Sequence, residues 1–229
     1  MNILAIETSC EAGSLALLQG DGLLTHELDG LASHSGLVLP AIQALLAEAG
    51  LTPGQLDALA FGSGPGAFTG LRLACGVAQG LALGSGVGLV PVGSLAALAA
   101  QCSEDRVFAA CDARMGEIYH CAFIREGGVL RALGEPGCCT PAELSLPDGL
   151  WFGIGSAFAV HADVLGHVTA GRLSGCLAGA VPRAAEVAAL AIEKVERGEL
   201  LAPHRALPSY VRDKVALTTA ERLARGGRG

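Results

Sequence analysis

"ILAIETSCEAGSLALLQGDGLLTHEL" spans residues 3–28, and "FAACDARMGEIYHCAFIREGGVLRAL" spans 108–133. Both read strand, turn, strand, tight turn, strand. Asp21-Gly22 and Gly127-Gly128 supply the positive φ that two-residue hairpin turns require. Each first strand closes on a carboxylate, Glu7 in one copy and Asp112 in the other. A three-stranded antiparallel meander that recurs with the same punctuation predicts an internal duplication.

The residues between the two meanders extend the pattern. After the first come an expected helix over 35–49, a strand over 56–61 and a glycine-rich loop, "GSGPGAFTGLR" (62–72). A helix over 67–84, a strand over 87–92 and a helix from Ser94 follow. After the second come a strand over 151–156, a short helix and an amphipathic helix over 183–198, whose Val187, Leu190 and Ala191 should face inward. The prediction is an α/β protein of two halves, residues 1–103 and 104–229, the second carrying fewer helices.

Composition narrows the function. A hydrophobic content of 51% supports a substantial core, and a net charge of −7 leaves no broad basic face for direct RNA binding. The last stretch departs from this, because Arg212, Lys214, Arg222, Arg225 and Arg228 outnumber Asp213 and Glu221 there. That stretch reads as a frayed basic tail or an accessory electrostatic contact. The eight cysteines show no CxxC and no zinc-like spacing with histidine, and the N-terminus starts a strand with no basic leader. Reduced, buried thiols in a cytoplasmic protein are expected. Leu73–Ala100 holds no charged residue, but its glycines, Gln79 and Pro91 break any membrane span.

The glycine loop lacks the Lys-Ser/Thr pair of a phosphate-binding P-loop and misses the dinucleotide spacing by one residue. Its helix is more informative. On a 100° wheel Leu73, Gly76, Val77, Gly80, Leu83 and Gly84 share one side, where glycines would let the helix lie close on a sheet. Leu71, Cys75, Ala78, Gln79 and Ala82, edged by Arg72, form the other side, expected to face outward. Residues 31–47 likewise carry no Asp, Glu, Lys or Arg. Two helices so poor in charge expect cover, from C-terminal elements or from another chain, and a protein–protein interface is the favoured reading. A charge at Ala78 is then expected to abolish pairing while leaving the fold intact.

No catalytic constellation emerges. His34 lacks a second ligand at position 38, and His161 and His167 do not share a helix face. Ser9, Ser14 and Ser63 have no sequence-local base. Arg114 and Glu117 read as a turn network.

"ILAIETS", "GSGPGAFTGLR", "GVAQGLAL", "DARMGEIY" and "PSYVRDKVA", in this order, resemble the bacterial TsaB (YeaZ) family over nearly the whole chain. The resemblance implies an actin-like fold, a ribonuclease H-like duplication of the ASKHA superfamily with two subdomains. It implies a non-catalytic subunit of threonylcarbamoyladenosine synthesis on tRNA, without a cofactor, paired with the catalytic paralogue TsaD and joined by the ATPase TsaE. The paralogue's metal-binding histidines align with Ser94 and Leu98, neither of which can replace an imidazole. The implied partner surface comprises His34, Leu37, Pro40, Phe68, Leu71, Arg72, Cys75, Ala78, Gln79 and Ala82, and would also serve a homodimer. Glu7 and Asp112 would be vestiges of a nucleotide or metal site. A nucleotide-dependent kinase or a glycoprotease-like metallopeptidase is the disfavoured alternative.

Overall fold

A computed structural model describes residues 1–28 and 34–212. The basic run expected as an accessory contact therefore lies, beyond Arg212, outside the described residues. The first half contains β1 (Asn2–Glu7), β2 (Gly13–Gln19), β3 (Gly22–Leu28), α1 (Val38–Glu48), β4 (Ala58–Gly64), α2 (Phe68–Ser85), β5 (Leu89–Gly93) and α3 (Ser94–Ala99). Its sheet has the order β3-β2-β1-β4-β5, antiparallel through the meander and parallel from β1 to β5.

The second half repeats this plan. It contains β6 (Arg106–Asp112), β7 (Ile118–Glu126), β8 (Val129–Ala132), β9 (Gly137–Cys139), β10 (Trp151–Gly155), α4 (Ala157–Val160), α5 (Ala162–Val168), β11 (Leu173–Ala178) and α6 (Ala184–Glu196). The order β11-β10-β6-β7-β8 is that of the first sheet read from its other end, with β9 pairing on β7. The duplication read from the two meanders thus extends to the parallel strands. β11 went unrecognised because "LSGCLA" is short, uncharged and mostly exposed, so it gives no alternating burial signal.

Alternation along the central strands assigns the layers. Leu4, Ile6, Leu59 and Phe61 face α1 and α2, whereas Ile3, Ala5, Ala58 and Ala60 face α6. The small residues on that second face let α6 lie close, through Ala184, Val187, Ala188 and Ala191. Leu190, expected to point inward with Val187 and Ala191, is only partly buried against this cluster. In the second sheet Val107, Ala109 and Ile154 meet Leu95 and Leu98 of α3, while Phe108, Ala110 and Trp151 meet Phe158 and Leu165.

Each half therefore sends its last helix to the other sheet. The boundary expected at residue 103 separates the two sheets but not their packing, since α3 covers the second sheet and α6 the first. The layers run α1/α2, first sheet, α6/α3, second sheet, α4/α5. All eight cysteines are unpaired; Cys75, Cys102 and Cys121 are buried as expected, whereas Cys10, Cys111, Cys138 and Cys139 are only partly buried and Cys176 is exposed. Among the described residues no helix is long and apolar enough to cross a membrane.

Candidate functional site

The glycine loop packs against protein. Ala67 N–H donates to the Ser9 carbonyl at 2.7 Å, and the Thr8 hydroxyl donates to the Gly70 carbonyl at 2.8 Å. A Cβ at Gly70 would collide with the Thr8 carbonyl, and one at Gly66 would sit 2.5 Å from that of Ser9. These glycines let the start of α2 abut the β1–β2 turn, and this close approach accounts for them without a ligand.

The strand-end carboxylates do not share a cavity. Glu7 is wholly buried; Ser9 N–H donates to its Oε1 at 2.6 Å and the Ser94 hydroxyl to its Oε2 at 2.9 Å. Burial pushes its pKa above the ordinary value, and the Ser9 and Ser94 hydrogen bonds pull back only partly. Asp112 instead lines a cleft of about 360 Å³ between the halves, together with Ser9, Cys10, Pro65, Arg114 and Tyr119. Its Oδ1 lies 3.1 Å from His161 Nε2, and its Oδ2 lies 3.8 Å from Arg114 Nε.

The metal-bound nucleotide that the fold family implies does not fit these residues. Glu7 is sealed off, and no three metal-ligating side chains converge among the described residues. Ser94 and Leu98 are both buried. Burial raises the Cys10 and Cys111 thiols to about 11 and about 12, so neither is a ready nucleophile.

The "DARMGE" turn clasps the halves. Arg114 and Met115 both adopt positive φ, 61° and 57°. Arg114 pairs with Glu11 across the cleft, and Glu117 pairs with Arg212 at 2.5 Å. Arg114 and Glu117 thus form the expected turn through their backbones, Glu117 N–H to the Arg114 carbonyl, while their side chains reach outward to other segments.

The expected faces of α2 are exchanged. Leu71, Cys75, Ala78 and Ala82 are buried and Gly76, Gly80, Leu83 and Gly84 are exposed, while Leu73 and Val77, expected inward, are partly buried against the first core. Methyl-bearing residues fill the space between helix and sheet, where a glycine ridge would leave voids. Of the ten residues read as a partner surface, Leu37, Pro40, Phe68 and Arg72 are exposed and Gln79 is half-buried. His34 opens a 3₁₀ turn, His34–Gly36, just before α1.

Part of α2 has the C-terminal cover that the sequence left open as the alternative to another chain, although the path of that cover was not foreseen. Residues 200–212 form a strap across α2 that ends on the second half. Gln79 donates to the Pro203 and Ala206 carbonyls at 2.9 Å each, and Cys75 Sγ to that of Ala206 at 3.3 Å. Tyr210 lies against Phe68, with ring centres 5.5 Å apart, and its hydroxyl accepts from Arg72 Nε at 3.1 Å. Arg212 then reaches the Ala113 carbonyl at 3.0 Å. The only signal in the sequence was the short, proline-punctuated "APHRALPSY", which carries no periodicity.

Known proteins converge on this architecture. A family model described as TsaD, tRNA N6-adenosine threonylcarbamoyltransferase, matches residues 31–219. The tRNA threonylcarbamoyladenosine biosynthesis protein TsaB of Escherichia coli is 33% identical, covering 94% of this chain and 96% of its own. The TsaB of Haemophilus influenzae is 44% identical over 131 residues, 55% of each chain. The solved structure of YeaZ from Pseudomonas aeruginosa superposes with a TM-score of 0.84 at 36% identity, covering 91% of this chain and 99% of that one. The shared order of elements, the end-to-end identity and the superposition agree: the chain belongs to the TsaB (YeaZ) family of tRNA threonylcarbamoyladenosine biosynthesis proteins.

Proposed function

We propose that this chain is a non-catalytic subunit that pairs with the transferase paralogue TsaD, is joined by the ATPase TsaE, and meets tRNA through that assembly. The observation that carries this reading is the outer face of α2. Gly76, Gly80 and Gly84 have no atom of the described residues within 4 Å of where a Cβ would stand, so packing among those residues gives no reason for them. Each costs a helix about 1 kcal/mol relative to alanine. A run of such costs makes sense where a second helix must approach the backbone closely.

α2 also exposes Phe68 and Leu83, by 41 and 75%, and the start of α1 exposes Leu37 and Leu39, by 38 and 49%. α1 and α2 lie on the same side of the first sheet, and an equivalent helix pair from a related chain would complete a four-helix contact. When the chain is alone, a second copy would cover this face. The sealed Glu7, and the lack of converging metal ligands among the described residues, favour a supporting over a catalytic role.

The test is threonylcarbamoyl transfer to unmodified tRNA by TsaD and TsaE, with and without this chain. Strict dependence on the chain is expected. The variant Gly80→Gln should keep or slightly raise thermal stability yet lose pairing and transfer. Normal pairing by that variant, or full transfer without the chain, would overturn the reading.

A further inference from the structure

The partner face has a charge asymmetry that bears on which partner it selects. α2 contains one charged residue, Arg72, and residues 200–212 add Arg205 with no Asp or Glu, their other arginine, Arg212, being paired with Glu117 on the second half. This is unusual in a chain of net charge −7. Arg72 is exposed, with its guanidinium 3.8 Å from the centre of the Phe68 ring. Arg205 is exposed where the strap crosses α2. Between helix and strap runs a groove of about 390 Å³ lined by Arg72, Gly76, Gln79, Leu207, Pro208 and Tyr210. Leu207, 65% exposed, and Tyr210, 47% exposed, form its apolar wall.

We infer that this groove receives an acidic helix of a different chain, one that places an aliphatic side chain against Leu207 and Tyr210 and carboxylates opposite Arg72 and Arg205. The inference rests on the subunit reading above and adds what selects the partner. A two-fold homodimer presents the same patch from both sides, so Arg72 and Arg205 would face a surface carrying the same arginines. Charges at a contact act on partner choice and association rate as well as on affinity, and like charges brought together disfavour the wrong pair. The two arginines therefore bias the chain away from itself and toward an acidic partner, although the glycine-floored face suits either in shape.

The experiment uses the full-length double variant Arg72→Gln/Arg205→Gln, both positions being exposed, with thermal unfolding as the control for folding. Titration against purified TsaD should show roughly tenfold weaker binding than wild type, and sedimentation of the chain alone should show several-fold tighter self-association. Both differences should shrink in about 0.5 M salt, where the screening length falls to a few ångströms. Unchanged affinity for TsaD, or unchanged self-association at low salt, would overturn the charge assignment. Leu207→Asp tests the groove independently, with loss of TsaD binding expected and normal binding counting against it. If wild type itself fails to bind TsaD, the subunit reading falls. The self-association arm then still decides whether the arginines oppose pairing of like copies.

Discussion

At the scale of single residues, Glu7 shows how this chain has turned a strand-end carboxylate inward. Its hydrogen bonds from Ser9 and Ser94 fix it behind the cleft, and burial raises its pKa above 4.5. Between that ordinary value and the raised one, the folded chain holds a proton that the unfolded chain has released. Stability conferred through this group is therefore present at low pH, falls as pH rises across that window, and is level above it. Glu7→Gln removes the titration while retaining an acceptor for Ser9 N–H. Its stability relative to wild type should increase from about pH 5 to about pH 8, read by urea unfolding at both. Parallel pH profiles would show that Glu7 ionises in the fold at no cost. Glu7 and Asp112 were both legible as strand ends, but their separation was not, because burial is set by Ser94 and Gly62, distant in sequence.

At the scale of the element, α2 carries the sharpest correction. Its length was readable from the glycine loop before it and Gly86 after it, whose φ of 76° closes the helix in a left-handed cap. Its orientation was not, because both sides carry small and aliphatic residues and the hydrophobic contrast between them is low. Ala78→Arg, which suits an outward face, instead places a charge where the native side chain is fully buried. It should destabilise the fold by about 3 kcal/mol or more, seen as a large drop in Tm before any pairing assay is informative. Gly76→Ala, on the open side, should raise stability by about 0.5–1 kcal/mol. A neutral Ala78→Arg would return the helix to the orientation read from the wheel.

At the scale of the molecule, the exchange of last helices makes the two halves one folding unit. Residues 1–103 alone would leave Ala5, Ala60 and Val90 without α6, and would expose Leu95 and Leu98 of α3 without the second sheet. That fragment should be soluble only as an aggregate-prone, loosely packed species, with weak near-ultraviolet dichroism and rapid amide exchange throughout. A cooperatively folded fragment would show that the sheets are separable after all.

The sequence alone determined the duplicated meanders, the carboxylates that close β1 and β6, and the hairpin turn at Gly127-Gly128, because alternation and positive φ are local demands that neighbouring residues satisfy. The first hairpin turns one residue earlier than the expected Asp21-Gly22, on Gly20 (φ 58°) and Asp21, with Gly22 already in β3. The sequence also showed that α1 and α2 are poor in charge, with Glu48 and Arg72 as their only charged residues. Only the tertiary structure decided which side of α2 is left open, where α3 and α6 pack, and how residues 200–212 cross to the second half. Those outcomes depend on how methyl groups, glycines and strap carbonyls fit surfaces built from remote segments, and no periodicity within one segment encodes that fit.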